Sequence, residues 1–392
     1  MVKSFYLQNF LSWLNATIEL NRTNLIVGNN NSGKSNLCRA LQFLSLSASN
    51  SLNESSDILG IPRQQIGNVS QSSTEAYLNV KVELLQENGS PILYDYGLEV
   101  RIPKPKAMDP TIEVYREVLL ASWDGWKDLQ LLAKTRDKVS LLHEGDLEQR
   151  RDIRFVETTS PNDSTMLSRL YDLQTNIRAN RFKKYLQSWQ FYDLSHQGLR
   201  NPSYKPFETV LNIDGSNLSS VVYDLRNRNE RAYRKLLKTL QQLEPEIEFI
   251  DYSGGGTTPN VFMFFDYKSG AKLPGWTASS GTLRFLALSY ILMFQPSSID
   301  QPLTIIEEPE NGLHVSHLRR VVEMAESEKC KTQTIFTSHA PYFIDLFDTN
   351  LESVLAAESS GHVSKIRSID ANKAREMLET MPLGEQYFRR SL

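Results

Sequence analysis

The sequence contains little cysteine and no long apolar run. Its 392 residues include two cysteines, Cys38 and Cys330. Two cysteines are too few for a disulfide framework, and they lie outside any metal-ligand spacing, so a reducing, cytoplasmic compartment is expected. No apolar run approaches the length of a membrane span, and residues 1–20 alternate apolar with polar side chains, unlike a signal peptide. We therefore expect no membrane partner.

The sequence also lacks an excess of charge of either sign. Lysine and arginine number 43 against 46 aspartates and glutamates, giving a net charge of -3. Nothing in the overall composition therefore attracts nucleic acid. Residues 161–240 are a local exception, with thirteen Lys and Arg against seven Asp and Glu. This excess fits either a basic face that binds nucleic acid or an ordinary solvated helix surface.

The most informative stretch of the chain is residues 23–46. A short apolar run turns through the glycine-rich loop GNNNSGKS, which fits the phosphate-binding pattern G-x-x-x-x-G-K-[ST] from Gly28 to Ser35. Glycines let the backbone N–H groups point at a triphosphate, with the positive end of the following helix behind them. Lys34 would reach the β- and γ-phosphates, and the Ser35 hydroxyl would ligate Mg²⁺. The sequence therefore predicts a nucleotide-binding protein.

Two later apolar runs end in polar residues. Residues 303–310, LTIIEEPE, read as a strand that ends in adjacent carboxylates. In phosphate-loop ATPases one carboxylate at such a strand end helps to hold Mg²⁺ and the next activates the attacking water. We therefore predict that Glu307 serves the metal and that Glu308 is the general base. Residues 333–345 read as another strand that ends at His339, where a histidine can hydrogen-bond the γ-phosphate or the water.

A second helix start lies between these features. Ser279, Ser280, Gly281 and Thr282 precede the apolar helical pattern LRFLALSYILMF, and small residues opening a helix form an anion-binding end. A single chain needs only one such helix start to bind the phosphates of one nucleotide. The sequence therefore predicts a dimer in which this end caps the γ-phosphate held by the partner's 28–35 loop.

The remaining patterns give a coarse secondary structure. Two-residue alternation predicts strands, and three- to four-residue spacing, as for Leu167, Leu170, Leu173 and Ile177, predicts helices. The predicted strands are 2–8, 16–20, 24–27, 76–86, 91–101, 111–120 and 261–267, with a hairpin turn at Asn88-Gly89. The predicted helical regions are 164–192 and 217–243, residues 47–75 are expected to be loop, and residues 121–160 carry no clear pattern.

This order of motifs resembles the ABC-class ATPases, in the non-transporter branch of RecF-like, SMC-like and OLD-type proteins, and most closely the AAA_21 group of predicted ATPases. The matching stretches are GNNNSGKS as Walker A, ASSGTLRFLAL as the signature motif, IIEEPENGLH as Walker B with the D-loop, and TSHAP as the switch-histidine region. WQFYDL (Trp189 to Leu194) and DGSNL (Asp214 to Leu218) are also similar to that group. The resemblance covers the chain except about residues 87–160.

The resemblance implies a set of site residues. The cofactors would be ATP and Mg²⁺, with Glu308, His339 and Lys34 catalytic and with Ser35 and Glu307 at the metal. Ser279 and Gly281 would act across a dimer interface. The residues expected to bind ATP are Gly28, Asn29, Asn30, Asn31, Ser32, Gly33, Lys34, Ser35, Asn36, Ser279 and Gly281.

The sequence departs from the wider ABC pattern at two positions. Glu307 stands where an aspartate is more usual, and its longer side chain predicts an indirect contact with the metal. Ser280 stands where transporters have glycine. A Q-loop glutamine is expected between the first helix and the early strands. Gln64, Gln65 and Gln71 remain equal candidates for it.

The predicted fold is α/β, a split ABC-type P-loop NTPase head with a mixed, partly helical insertion. Its N-terminal part would be residues 1–90, its insertion 91–255 and its C-terminal part 256–392. The sequence shows no HEXXH motif, nuclease acid cluster or nucleophile elbow, and too few residues follow His339 for the Toprim domain of OLD-type nucleases. We therefore expect an ATPase without an effector of its own.

The expected activity is ATP hydrolysis coupled to head-to-head homodimerisation. By family resemblance, the dimer would regulate a separate nuclease or toxin in a bacterial anti-phage defence system. An alternative is a RecF-like ATPase of DNA repair that grips DNA through residues 161–240. A third is a scaffold that binds ATP but scarcely hydrolyses it.

Overall fold

The computed structural model describes residues 1–68, 73–104, 107–136, 138–145, 154–171, 175–204, 207–254, 260–299, 301–378 and 381–388. The strands are β1 (Val2–Phe10), β2 (Trp13–Glu19), β3 (Thr23–Val27), β4 (Glu75–Leu85), β5 (Pro91–Arg101), β6 (Glu113–Trp123), β7 (Trp126–Thr135), β8 (Lys138–Leu142), β9 (Phe155–Thr159), β10 (Gln190–Tyr192), β11 (Ile247–Gly254), β12 (Val261–Tyr267), β13 (Lys272–Pro274), β14 (Leu303–Glu307), β15 (Gln333–Ser338), β16 (Val354–Ser360) and β17 (Val363–Ser368). The α-helices are α1 (Lys34–Leu46), α2 (Leu52–Ile58), α3 (Ile177–Gln187), α4 (Leu218–Arg228), α5 (Glu230–Gln241), α6 (Ser280–Met293), α7 (Val315–Glu326), α8 (Pro341–Ile344), α9 (Ala371–Leu378) and α10 (Leu383–Phe388).

The chain forms two compact units. Unit 1 comprises Met1–Asn21, Gly28–Trp189 and Leu355–Ser368, and unit 2 comprises Arg22–Val27, Gln190–Val354 and Ile369–Leu392. The three-part division at residues 90/91 and 255/256 stays a prediction. Among the described helices, none has both the length and the apolar character needed to cross a membrane.

Unit 1 is built on a mainly antiparallel sheet. Its strands run in the order β16-β17-β2-β1-β4-β5-β6-β7-β8-β9, with β17 and β2 parallel. Alternate residues of β4 and β5 are buried, as the two-residue period predicts. On the buried face, Tyr94 and Tyr96 lie 5.2 and 5.3 Å from the ring of Phe182 in α3. The predicted meander and its turn at Gly89, with φ +81°, are confirmed.

The predicted helix over 164–192 is wrong in its first half. A short 3-10 turn, Leu167–Arg169, occupies this part, and α3 begins only at Ile177. Leu167 and Leu170 are both buried, because residues three apart also share one face of a 3-10 turn. Their spacing therefore does not distinguish such a turn from an α-helix. The buried Glu117 carboxylate caps the start of the turn, accepting the N–H groups of Met166 at 2.6 Å and Leu167 at 3.0 Å. Leu170 is extended, with ψ 118°, and Leu173 lies outside the described residues.

Other predicted elements also needed correction. The stretch 47–75, expected to be loop, contains α2, whose start is capped by Ser51 through Glu54 N. Helical region 217–243 is two helices, because the Asn229 side chain accepts from Ala232 N at 3.0 Å and begins a new helix there. Residues 121–160, for which no pattern predicts secondary structure, contain β7, β8 and β9.

Unit 2 contains a parallel sheet in the order β10-β14-β15-β3. All five residues of β3 and all six of β15 are buried, as is typical of parallel strands covered on both faces. Helix α6 is buried along almost its whole length, from Thr282 to Leu292. A separate antiparallel sheet, β11-β12-β13, completes the unit. This mixed architecture confirms the predicted α/β class.

Candidate phosphate-binding and hydrolysis site

The phosphate loop of unit 1 requires both of its glycines. A Cβ atom on Gly28 would lie 2.5 Å from the carbonyl oxygen of Ala357. Gly33 has φ +99°, a left-handed conformation, and a Cβ there would lie 2.1 Å from the Ser364 hydroxyl. Side chains fit neither position, so the loop can hold this close curve only with glycine at both.

The loop leads directly into the start of α1. Gly33 is the N-cap of this helix and supplies no side chain to cap it, and the first turn carries no acidic residue. Asn29, Asn30 and Asn31 are exposed on the loop, and Asn31 adopts φ +65°. A helix start of this kind binds an anion through its backbone.

Lys34 lies folded onto the loop. Its side chain is only 7% exposed, and Nζ donates to the carbonyl oxygens of Gly28 at 2.7 Å and Asn29 at 3.1 Å. The buried hydroxyl of Ser32 has no hydrogen-bond partner among the described residues. Ser35 is exposed in the first turn of α1. A lysine and a buried hydroxyl are therefore gathered on one short loop that leads into a helix start.

The turn between β1 and β2 supports this loop. The buried indole of Trp13 donates to the carbonyl oxygen of Gly33 at 3.1 Å. Ser12 accepts from the Asn36 amide at 2.9 Å and from the Ser364 hydroxyl at 2.8 Å. Ser12 and Trp13 are not among the predicted site residues, because nothing in a β-hairpin sequence indicates which loop its turn will contact.

In unit 2, three parallel strands end together. The register pairs Glu307 at the end of β14 with Thr337 of β15, and Ser338 at the end of β15 with Val27 at the end of β3. The chain runs from Val27 directly into Gly28. Glu308 and His339 immediately follow the other two strand ends, so the positions predicted from sequence lie at one edge of this sheet.

Glu308 and His339 are in contact. Nδ1 of His339 lies 3.1 Å from Oε1 of Glu308, and the Asn311 amide donates to Oε2 at 2.9 Å. Glu308 also has φ +44°, a conformation that side chains rarely adopt. Such backbone strain persists only where surrounding contacts enforce it, and it is concentrated at functional sites. The carboxylate is thus held on both oxygens at the strand edge.

Glu310 is a further acid that the sequence analysis did not single out. It is 3% exposed, and Oε1 accepts from the Ser338 hydroxyl at 2.5 Å while His339 Nδ1 lies 4.0 Å away. Oε2 has no partner among the described residues. Burial raises the pKa of this carboxyl, and the Ser338 hydrogen bond opposes the rise. The sequence did contain a signal for Glu310, because it is the third acidic residue of the run EEPE.

The predicted signature residues lie at the start of α6. Ser279 is the N-cap and accepts the N–H of Thr282 at 3.0 Å. A Cβ on Gly281 would lie 2.7 Å from the carbonyl oxygen of Gly312, in the turn that follows Glu308. Glycine at 281 therefore permits the start of α6 to pack closely against this turn.

Similarity to known proteins shows the family of the chain. The profile of the AAA_21 family, described as "AAA domain, putative AbiEii toxin, Type IV TA system", matches residues 23–345. The chain belongs to the AAA_21 family. An "ATP/GTP phosphatase" of Helicobacter pylori is 21% identical over 386 residues, covering 93% of this chain and 91% of that protein.

Among solved structures, the fold is similar to a crystal structure of "the SmcHead bound to the C-winged helix domain of ScpA". The TM-score is 0.52 with 14% identity, covering 95% of this chain and 99% of that one. The resemblance of the AAA_21 protein to SMC-like, ABC-class P-loop ATPases is therefore confirmed, as is its fold class.

The Q-loop glutamine of the AAA_21 protein stays a prediction. Gln64 and Gln65 lie in the 3-10 turn Arg63–Gln65, whereas Gln71 is outside the described residues. Gln65 lines a cavity of about 530 Å³ within unit 1, together with Asn31 and Asn36 of the phosphate-loop region. Proximity to the loop favours Gln65 over Gln64.

Arg284 is another site residue that no motif of the sequence indicates. It lies in α6, is 6% exposed, and donates to the carbonyl oxygens of Glu308 at 3.1 Å and of Leu194. Burial lowers the pKa of this guanidinium, and nearby Asp193, Glu310 and Glu308 oppose the decrease. Arg284 therefore ties the signature helix to the backbone of the strained glutamate.

We expect Arg284→Lys to lower ATP turnover by about tenfold or more while ATP affinity is unchanged. A lysine ammonium cannot reproduce the two-carbonyl contact of a guanidinium, and lost hydrogen bonds to a charged group are worth about 1.5–3 kcal/mol each. Phosphate release and equilibrium ATP binding measure the two effects. Arg320→Lys, at an exposed arginine paired with Glu323, is the matched control. Turnover equal in both variants would show that Arg284 does not hold Glu308.

Proposed function

We propose that this AAA_21 protein hydrolyses ATP with Mg²⁺ and that Glu308 is the general base. The observation that carries the proposal is the hydrogen-bonded Glu308 and His339 pair, held at the strand edge from which the chain enters the phosphate loop. The "ATP/GTP phosphatase" relative supports a nucleoside triphosphate as the substrate.

The donor atoms suit Mg²⁺. The exposed Ser35 hydroxyl and the Glu307 carboxylate at the end of β14 are oxygen ligands, which Mg²⁺ prefers, and it commonly keeps few protein ligands. When bound, the metal neutralises charge on the β- and γ-phosphates. The long Glu307 side chain fits contact with the metal through water.

The protein's own groups then have separate roles in the reaction. Lys34 exchanges its two loop carbonyls for phosphate oxygens, and the N–H groups at the start of α1 bind the same anion. Glu308 accepts a proton from the attacking water as the water oxygen bonds to the γ-phosphorus. The bond from that phosphorus to the β–γ bridging oxygen breaks, and ADP and inorganic phosphate leave. His339 holds Glu308 in place by donating from Nδ1, and when both of its ring nitrogens carry a proton it also donates from Nε2 to the phosphate or to the water.

We further propose that the active form is a homodimer with ATP between two copies. Within one copy, Ser279 and Gly281 lie at the start of α6, where Ser279 is exposed. The residues that precede α6 in the sequence do not form a phosphate loop. In the dimer these residues face the triphosphate on the partner's loop. The dimer would regulate a separate nuclease or toxin in bacterial defence, a context supported at the family level alone.

DNA binding is the second candidate function, favoured by one observation. Helix α5 exposes basic side chains along its outer face. These side chains are Arg231, Arg234, Lys235 and Lys238. In α3, by contrast, Arg178 pairs with Glu144, and Lys183 donates to backbone carbonyl oxygens. The basic stretch of the sequence is therefore available for DNA only in part.

The test of the proposed function is Mg²⁺-dependent release of phosphate from ATP and GTP, measured beside the molar mass in solution. We expect turnover that requires Mg²⁺ and a monomer that becomes a dimer with ATP. ATP binding without turnover would support the scaffold alternative, and constant mass would exclude the dimer. Binding of duplex DNA that weakens steeply as salt rises would favour the clamp.

A further inference from the structure

Three oxygen-bearing side chains form a chain at the start of α6. Thr282 Oγ1 donates to Oε1 of Glu244 at 3.1 Å and lies 2.6 Å from Oγ of Ser279. The Ser279 oxygen in turn accepts the backbone N–H of Thr282 at 3.0 Å. Thr282 is 3% exposed, so its hydroxyl has little access to water.

Counting protons fixes the direction of these bonds. A carboxylate can only accept, and a hydroxyl has a single proton to donate. Since Thr282 gives its proton to Glu244, the short bond to Ser279 must be donated by Ser279. The hydroxyl proton of Ser279 is therefore turned inward, toward Thr282, and away from the exposed helix start.

We propose that Glu244 is a positioning residue that restrains Ser279 from engaging the triphosphate bound by a partner copy. This inference rests on the proposed dimer. A phosphate oxygen is an acceptor, so Ser279 can donate to it only after releasing Thr282. Glu244 holds Thr282 in the orientation that favours the inward bond, and it thereby raises the ATP concentration needed for dimerisation.

The position of Glu244 links this restraint to another element. Glu244 N donates to the carbonyl oxygen of Leu240 at 3.0 Å, which closes the C-terminal end of α5. Displacement of α5 would therefore pull Glu244 from Thr282 and free the Ser279 proton. Two neighbouring titratable groups, His317 of α7 and Tyr267 of β12, interact electrostatically with Glu244.

The test uses Glu244→Ala and Thr282→Val, each combined with Glu308→Gln so that hydrolysis does not deplete the dimer. We expect both variants to dimerise at an ATP concentration about three- to tenfold lower than the Glu308→Gln parent, the range of one hydrogen bond. Thr282→Ser keeps the hydroxyl and is expected to behave as the parent. Thermal unfolding without ATP establishes that each variant is folded.

A double-mutant cycle separates positioning from a merely structural role. In a Ser279→Ala background, Glu244→Ala should no longer change the ATP concentration for dimerisation, because its effect acts through the Ser279 proton. Suppose that the Glu308→Gln parent dimerises, and that Glu244→Ala and Thr282→Val both need the same or a higher ATP concentration to do so. That result would overturn the proposed restraint of Ser279 but not the proposed dimer. A parent that never dimerises with ATP would overturn the proposed dimer, and the restraint with it.

Discussion

Glu308→Gln is expected to reduce ATP turnover by about 10²- to 10⁴-fold, the usual contribution of a general base. The substitution preserves the size of the side chain and an oxygen that can accept from His339 Nδ1, which lies 3.1 Å from Oε1 in the parent. It removes the ability to take a proton from water. ATP binding should persist, because the phosphate loop is unchanged, and the ATP-bound dimer should accumulate.

Single-turnover phosphate release and molar mass with ATP measure these two outcomes. Glu323→Gln is the matched control, since Glu323 is an exposed acid in the same unit that pairs only with Arg320 among the described ion pairs. Glu310→Gln provides a useful comparison, because Glu310 is buried and bonded to Ser338. If Glu308→Gln hydrolyses ATP like the parent while Glu310→Gln does not, the base assignment moves to Glu310.

The local patterns of the sequence were sufficient for the elements around the proposed site. Short runs with apolar residues at their centre predict strands here, and β3, β14 and β15 are strands in which every residue except Glu307 is buried. The phosphate loop is recognisable because its glycines are needed for the curve of the backbone, which the 2.1 and 2.5 Å approaches at Gly33 and Gly28 now explain. The roles of its residues stay predictions.

Local sequence patterns could not predict contacts between residues that lie far apart in the sequence. Glu117 accepts the N–H groups of residues 166 and 167 at the start of the 3-10 turn that stands where their spacing predicts a helix. Arg284 is the one charged residue of α6, and only the packing of this helix shows that it reaches the Glu308 carbonyl. Glu244 follows a different helix and meets Thr282 from thirty-eight residues away. Such residues carry no motif, because their partners are chosen by the tertiary fold.

Lys34→Ala is expected to weaken ATP binding by roughly 10- to 100-fold, which corresponds to about 1.5–3 kcal/mol for a charge-assisted hydrogen bond. The Nζ atom is within 2.7 and 3.1 Å of two loop carbonyls. It is therefore already placed on the loop that would surround the phosphates. Turnover should fall further than affinity, because Lys34 also balances charge on the γ-phosphate during transfer.

Two measurements check the Lys34 prediction. Calorimetric titration gives the dissociation constant for ATP, and thermal unfolding gives the stabilisation by ATP, which grows with the ratio of ligand concentration to that constant. The matched control is Lys365→Ala, an exposed lysine on β17 of the same unit. Unfolding without ATP must be compared as well, because the lysine bridges two carbonyls of its own loop. An ATP affinity equal to that of the parent would remove the phosphate-loop assignment, since no other cation lies on that loop between Gly28 and Ser35.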